Sequence, residues 1–318
     1  MKQFLVRRIL QMIPTLLGVS IILFSVFSMV PGNFIDSNQT ISAERAAELK
    51  KIHGLDKPTT ERYFIWASNA LKGDFGYSFQ HKVEVTTVID RYIWNSVIVA
   101  AFSMIFTWII AIFIGVFSAI KKYSLYDGII TFIVFGLMSL PSFFLGLLAI
   151  KFIAVDMGWA PVGGMYTTGS SATGFAKVFD LLEHMILPVT VLTALGVGGL
   201  TRYFRTSMLD IVNQDYIRTA RAKGVKESTV IFKHALRNAL IPAITLLGFE
   251  LPALFSGAMI TEKIFNWPGI GRVYLDALNF RDYFLLMGYL MFLSFLTVLG
   301  NLLADTLYGL VDPRVRLK

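Results

Sequence analysis

Few side chains in this sequence could do chemistry, and their spacing excludes most of what they could do. None of the 318 residues is cysteine, which removes disulfides, thiolate metal sites and cysteine nucleophiles. The four histidines, His53, His81, His184 and His234, are scattered. Glu183 precedes His184, but there is no His-Glu-x-x-His to set two ligands on one helix face. Gly169-Ser-Ser-Ala-Thr-Gly174 has the glycine spacing of a phosphate-cradling loop, yet Phe175 and Ala176 stand where lysine and serine or threonine are required. The chain is expected not to be an enzyme, to hydrolyse no ATP itself, and to bind no metal or cofactor of its own.

The informative stretch is Asp215-Tyr-Ile-Arg-Thr-Ala-Arg-Ala-Lys-Gly-Val-Lys-Glu-Ser-Thr-Val-Ile-Phe-Lys-His-Ala-Leu-Arg-Asn-Ala-Leu-Ile-Pro242. It reads as two short basic helices flanking a glycine. Leu209, Val212, Tyr216 and Ala220 recur at helical spacing before Gly224, and Ser228, Phe232, Leu236 and Leu240 after it. Gly224 suits the position just past a helix, where a left-handed backbone is needed. Such a pair could dock in a groove of a soluble partner. It could equally be an ordinary basic loop, and spacing alone leaves both readings open.

The elements that carry this stretch are membrane spans. The chain is 55% apolar and 16% charged, with a mean hydropathy of +0.63, far from the roughly 25% charged residues of a soluble domain. A bilayer core about 30 Å thick needs roughly 20 apolar helical residues. Six segments qualify, approximately Ile9 to Val30, Asn95 to Ile120, Ile129 to Ile153, Met185 to Tyr203, Leu240 to Met259 and Phe284 to Leu310. The first follows Lys2, Arg7 and Arg8 like a signal peptide, but it is too long and lacks a small-x-small cleavage pattern, so it reads as a retained helix.

Basic residues near the helix ends set the orientation. Lys2, Arg7, Arg8, Lys121, Lys122, the cluster from Arg202 to Arg237, and Arg314, Arg316 and Lys318 fall on one side, so both termini are expected in the cytoplasm. The net charge of +8 thus has a topological explanation, and nucleic-acid binding is not expected. The segment from Pro31 to Arg91, with eight basic and eight acidic residues, falls outside. It reads as ordered: one helix opens at Ser42-Ala43-Glu44 and closes at Gly54, and another runs from Pro58 to Leu71. No internal repeat is visible.

The 215–242 stretch resembles the cytoplasmic EAA loop of binding-protein-dependent ABC importers. Ala220, Gly224 and Leu236 match that pattern, while Arg218 and Thr219 stand for Glu and Ala, His234 for Ile, and Arg237 for Pro. Tyr-Ile-Arg-Thr-Ala-Arg-Ala-Lys-Gly and His-Ala-Leu-Arg-Asn-Ala-Leu-Ile-Pro resemble the form taken in the dipeptide, oligopeptide and nickel branch. So do Pro31-Gly32, Gly54-Leu-Asp-Lys-Pro58, Gly73-Asp-Phe-Gly76, Thr261-Glu-Lys-Ile-Phe, Trp267-Pro-Gly-Ile-Gly271, Arg281-Asp-Tyr283 and Asp312-Pro-Arg314, which cover nearly the whole chain.

The resemblance implies an all-α membrane protein of the ABC importer type-1 permease fold, with six transmembrane helices, both termini cytoplasmic, and an ordered extracytoplasmic segment after the first helix. Residues 1–93 would hold that helix and segment, 94–310 the permease core with its coupling loop at about 205–240, and 311–318 a cytoplasmic tail. It implies a B-type permease subunit of a peptide importer, multi-pass in the cytoplasmic membrane of a bacterium. The partners would be a homologous C-type permease, two ABC ATPases that use ATP and Mg, an extracytoplasmic solute-binding lipoprotein, and membrane lipid. Tyr216, Ala220, Arg221, Gly224, Glu227, Phe232, Leu236 and Arg237 would form the ATPase-coupling surface.

Glu250 lies between Pro242 and Pro252 in an apolar run, where an acid costs at least a few kcal/mol unless it faces protein or water. It is either a contact for a peptide amino group in the translocation path or an acid hydrogen-bonded between helices. The alternatives are an ion-coupled secondary transporter, or within the family a permease for nickel or another small solute. A secondary transporter usually needs internal symmetry and several midplane acids, of which Glu250 alone qualifies.

Overall fold

Long apolar runs in which every backbone polar group must pair internally become helices, and helices dominate the computed structural model, which describes residues 2–32, 34–37, 41–52, 54–256 and 258–311. In chain order these are α1 (Lys2–Met29), α2 (Phe34–Ser37), α3 (Ala43–Ile52), α4 (Thr59–Ala70), α5 (Val85–Ile120), α6 (Leu125–Ser139), α7 (Ser142–Ala149), α8 (Phe175–Val212), α9 (Asp215–Ala222), α10 (Glu227–Thr229), α11 (Leu236–Ser256), α12 (Met259–Ile264), α13 (Ile270–Phe280) and α14 (Tyr283–Val311). π-helical segments occupy Ile150–Asp156 and Val230–Ala235. The fold is not purely helical, because β1 (Tyr77–Ser78) and β2 (Val83–Glu84) pair antiparallel, Tyr77 opposite Glu84.

Among the described residues, five helices are long and apolar enough to cross a membrane, and a sixth crossing exists only if one bent pair is counted as a span. That pair corrects the expected single segment from Ile129 to Ile153: Leu125–Ser139 and Ser142–Asp156 meet at 104°. The cause is Pro141. Its ring pushes the preceding residue out of the helical region, and Leu140 is extended at φ −87° and ψ 135°. Pro188, by contrast, lies inside α8 without ending it. The tail residues Arg314, Arg316 and Lys318 and the Asp312-Pro-Arg314 motif lie outside the described residues, as does His53.

The chain forms two compact units, each discontinuous in sequence. The first comprises Met1–Ser96, Leu251–Met259 and Pro268–Leu303. Here the two helices expected after the first span are present. Ser42 Oγ accepts from Arg45 N at 3.3 Å at the start of α3, Gly54 takes φ +64° after it, and Pro58 precedes α4. Trp66 of α4 is 5% exposed and packs with Phe24 of α1 and Met287 of α14. Asp282, fully buried, accepts from Ser78 Oγ at 2.7 Å and Gln80 N at 3.1 Å, which ties the β hairpin to the start of α14. Gly76 (φ +98°) permits this approach, since a Cβ there would stand 2.8 Å from the Phe284 ring. Ile270 N donates to Ser96 Oγ at 2.8 Å, and Asn95 Nδ2 donates to the Pro268 carbonyl at 2.8 Å.

The second unit comprises Val97–Glu250, Ile260–Trp267 and Ala304–Lys318. Glycines let its helices touch: a Cβ at Gly198 of α8 would collide with Met138 Sδ of α6, and one at Gly115 of α5 would fall 2.9 Å from the Thr201 carbonyl of α8. Trp267 is fully buried among Val99, Met185 and Val189.

Candidate coupling site

α9 is short because Asn213 and Gln214 break the chain after α8, and Gln214 is extended (φ −74°, ψ 151°). Its single fully buried residue is Ile217, which enters a cluster with Val116 and Ala119 of α5, Met208 of α8, and Val230, Ile231, Ala235 and Ala239 beyond the glycine. At roughly 25 cal/mol per Å² of apolar surface, such burial is what holds an eight-residue helix that could not persist alone. Ala220 is half-buried against the same cluster.

Gly224 ends α9 with φ +73°, donating its N–H to the Arg221 carbonyl at 2.9 Å, while Val225 N reaches the Ala220 carbonyl at 3.2 Å. Across this turn Arg221 grips Glu227, with Nη2 2.8 Å from Oε1 and Nε 3.2 Å from Oε2. The hydrogen bond to Glu227 holds the Arg221 guanidinium above its ordinary pKa. Tyr216 and Phe232 are 47% and 45% exposed. Arg218, Lys223, Lys226, Lys233 and Arg237 are exposed with them, and Leu236 is half-buried.

One expectation needs correction. The second helix after Gly224 is not short, because the helical run continues from Glu227 through the π-helical segment into α11. Of the residues around the turn, Tyr216 and Phe232 face out, while Ile217, Val230, Ile231 and Ala235 face in. The break at Asn213 resets the helical phase, and a π turn, bonded i to i+5, shifts it again. The eight expected coupling residues thus lie along one turn and its flanks. Glu250 is half-buried on α11 and is not brought to them, since 13 positions from Arg237 amount to about 20 Å of helix.

Reading the sequence missed an ion pair beneath this site. Asp127, 4% exposed, accepts from Arg205 Nε at 3.0 Å and Nη2 at 2.8 Å, from Tyr123 N at 3.0 Å, and from Ser118 Oγ. It joins the α5–α6 turn to α8 about three turns before α9. The only signal in the sequence was an acid and a base just beyond two predicted spans at the same end.

Residues 111–317 match the family described as "Binding-protein-dependent transport system inner membrane component", and residues 1–100 match that family's N-terminal region. The chain therefore belongs to the inner-membrane components of binding-protein-dependent transport systems. It is 40% identical over 319 residues to the oligopeptide transport system permease protein AppB of Bacillus subtilis (strain 168), covering 99% of each. It is 35% identical over 338 residues to the dipeptide transport system permease protein DppB of Escherichia coli (strain K12), covering all of both. Among solved structures, the MetNI methionine ABC transporter in an inward-facing form matches with a TM-score of 0.56 at 17% identity, over 71% of this chain and 97% of that one.

Proposed function

We propose that the chain is a transmembrane permease subunit of an ATP-driven ABC importer that moves peptides, oligopeptides or dipeptides, across the cytoplasmic membrane of a bacterium. The observation that carries this reading is α9: a rigidly seated helix that presents exposed aromatic and basic side chains around Gly224, in a chain related to peptide permeases over its full length. The chain crosses the membrane six times with both termini inside. Residues 1–93 supply the first helix and outer segment, 94–310 the core, and 311–318 the tail. It pairs with a second, homologous permease to enclose the pathway.

Two partner ATPases hold the α9 turns and use ATP and Mg, since this chain has no nucleotide loop of its own. An outer solute-binding lipoprotein delivers the peptide. The face for it lies on α3 and α4 and at Leu278–Arg281, which are exposed, whereas Thr261, Glu262, Phe265 and Trp267 are buried and present no such surface. Closing of the ATPases pushes α9, and the clustered Ile217 passes that displacement to α5, α8 and α11. The pathway then opens to one side or the other, shifting only as far as nucleotide binds the two states differently.

The natural absence of cysteine makes the test clean. A single cysteine at Tyr216 or Arg221 should cross-link to a cysteine on the ATPase in assembled complexes, and proteoliposomes should take up peptide only with ATP. Peptide uptake driven by an ion gradient with no ATPase present would replace this reading with the secondary transporter.

A further inference from the structure

In the first unit, α1, α4, the β hairpin and the start of α14 enclose a cavity of about 370 Å³. Its lower wall is apolar, formed by Phe24, Trp66 and Met287. Its lining also carries two guanidiniums, Arg62 and Arg281. Arg281 Nη1 donates to the Pro31 carbonyl at 3.0 Å, and Arg62 lies over the Phe24 ring, 5.9 Å from its centroid. Among the described residues no carboxylate pairs with either, although Asp74 and Glu84 also reach the lining. Burial holds the Arg62 guanidinium below its ordinary pKa, with no acid near enough to raise it. The indole N–H of Trp66 and the hydroxyl of Tyr283, both lining residues, are buried with no hydrogen-bond partner.

Depth decides what would satisfy these donors. Phe24 lies five positions inside the end of α1 at Met29, about 7 Å along the helix, and Met287 lies four positions, about 6 Å, inside the start of α14 at Tyr283. The cavity therefore runs from the apolar slab up to the helix ends, with Arg62 over Phe24 and Arg281 just before the start of α14. We propose that it is a binding site for a glycerophospholipid, its phosphate held between Arg62 and Arg281 and an acyl chain laid along Phe24 and Met287. Guanidiniums hold a phosphate through charge-assisted, often paired hydrogen bonds. A free phosphate would satisfy the guanidiniums and leave the apolar wall empty. The proposal rests only on α1 and α14 spanning a membrane.

The test is phospholipid retention on the full chain purified in mild detergent, read by native mass spectrometry during progressive delipidation. Wild type should keep one phospholipid after the rest are stripped. Arg62→Gln should lose it at about tenfold lower detergent exposure, the scale of one charge-assisted hydrogen bond. Met287→Trp, which keeps both arginines and fills the apolar wall, should also lose it. Equal retention in wild type and both variants overturns the proposal. So does displacement of the lipid by inorganic phosphate, which would make this a free-phosphate site, or by a short peptide, which would make it a solute site. If Arg62→Gln does not fold, Met287→Trp alone decides.

Discussion

The guanidinium of Arg205 closes on the carboxylate of Asp127 through two parallel hydrogen bonds, 3.0 Å at Nε and 2.8 Å at Nη2, with the acid almost wholly buried. The fork geometry is the strong form of an arginine–carboxylate contact. It binds α8, which leads into α9, to the turn between α5 and α6.

Removing Asp127 leaves the Arg205 guanidinium, 28% exposed, without its carboxylate, and removing Arg205 leaves the buried Asp127 charge alone. Asp127→Ala is expected to cost about 3–5 kcal/mol, whereas the double replacement Asp127→Ala with Arg205→Met should recover most of it. Thermal unfolding of the purified variants, followed by size exclusion, checks this. A double variant no more stable than the single one would show that the pair is not what holds the turn.

A Cβ at Gly224 would meet open space, so a side chain there is opposed by backbone strain alone. The left-handed conformation costs a non-glycine residue roughly 1–2 kcal/mol, less for asparagine and more for a β-branched residue. Gly224→Asn should therefore keep more peptide uptake than Gly224→Ala, and Gly224→Val the least, while ATP hydrolysis and membrane abundance persist. Uptake and hydrolysis measured on the same proteoliposomes read the order.

Tyr216 and Phe232 face out and Ile217 faces in, which separates docking from stability. Tyr216→Ala and Phe232→Ala should each weaken ATPase binding about tenfold or more without altering unfolding of the permease. Ile217→Ala should destabilise the fold itself by about 2–5 kcal/mol. Pull-down affinity and melting temperature distinguish the two classes.

Acid should act on the hairpin through His81 and Asp282 in opposite directions. Burial lowers the His81 pKa more than the nearby Asp282 raises it, so the folded state resists protonation and loses stability as pH falls below the ordinary value of 6.5. Burial raises the Asp282 pKa against the hydrogen bonds from Ser78, Gln80 and Leu285. That acid takes up a proton more readily folded than unfolded, and it adds stability as pH falls through its raised pKa toward 3.8. His81→Gln should then remove the loss between pH 7.5 and 5.5, read as protease resistance of the hairpin. An unchanged pH profile would assign the loss to another group.

What the sequence determined is local. Runs of about 20 apolar residues place the spans, Ser42, Gly54 and Pro58 mark the ends of α3 and α4, and the Gly224 turn is legible because a helix needs a left-handed residue to stop there. The tertiary structure alone decided what depends on distant partners. Ser78 meets Asp282 across 204 positions, and Arg205 meets Asp127 across 78. Which face of α9 is buried depended on a break at Asn213, and which face of the run after Gly224 on a π turn, each a shift of helical phase that no apolar period carries across. The bend at Pro141 lay between, since proline permits a break in a spanning helix but packing decides whether it opens to 104° there or, as at Pro188, not at all.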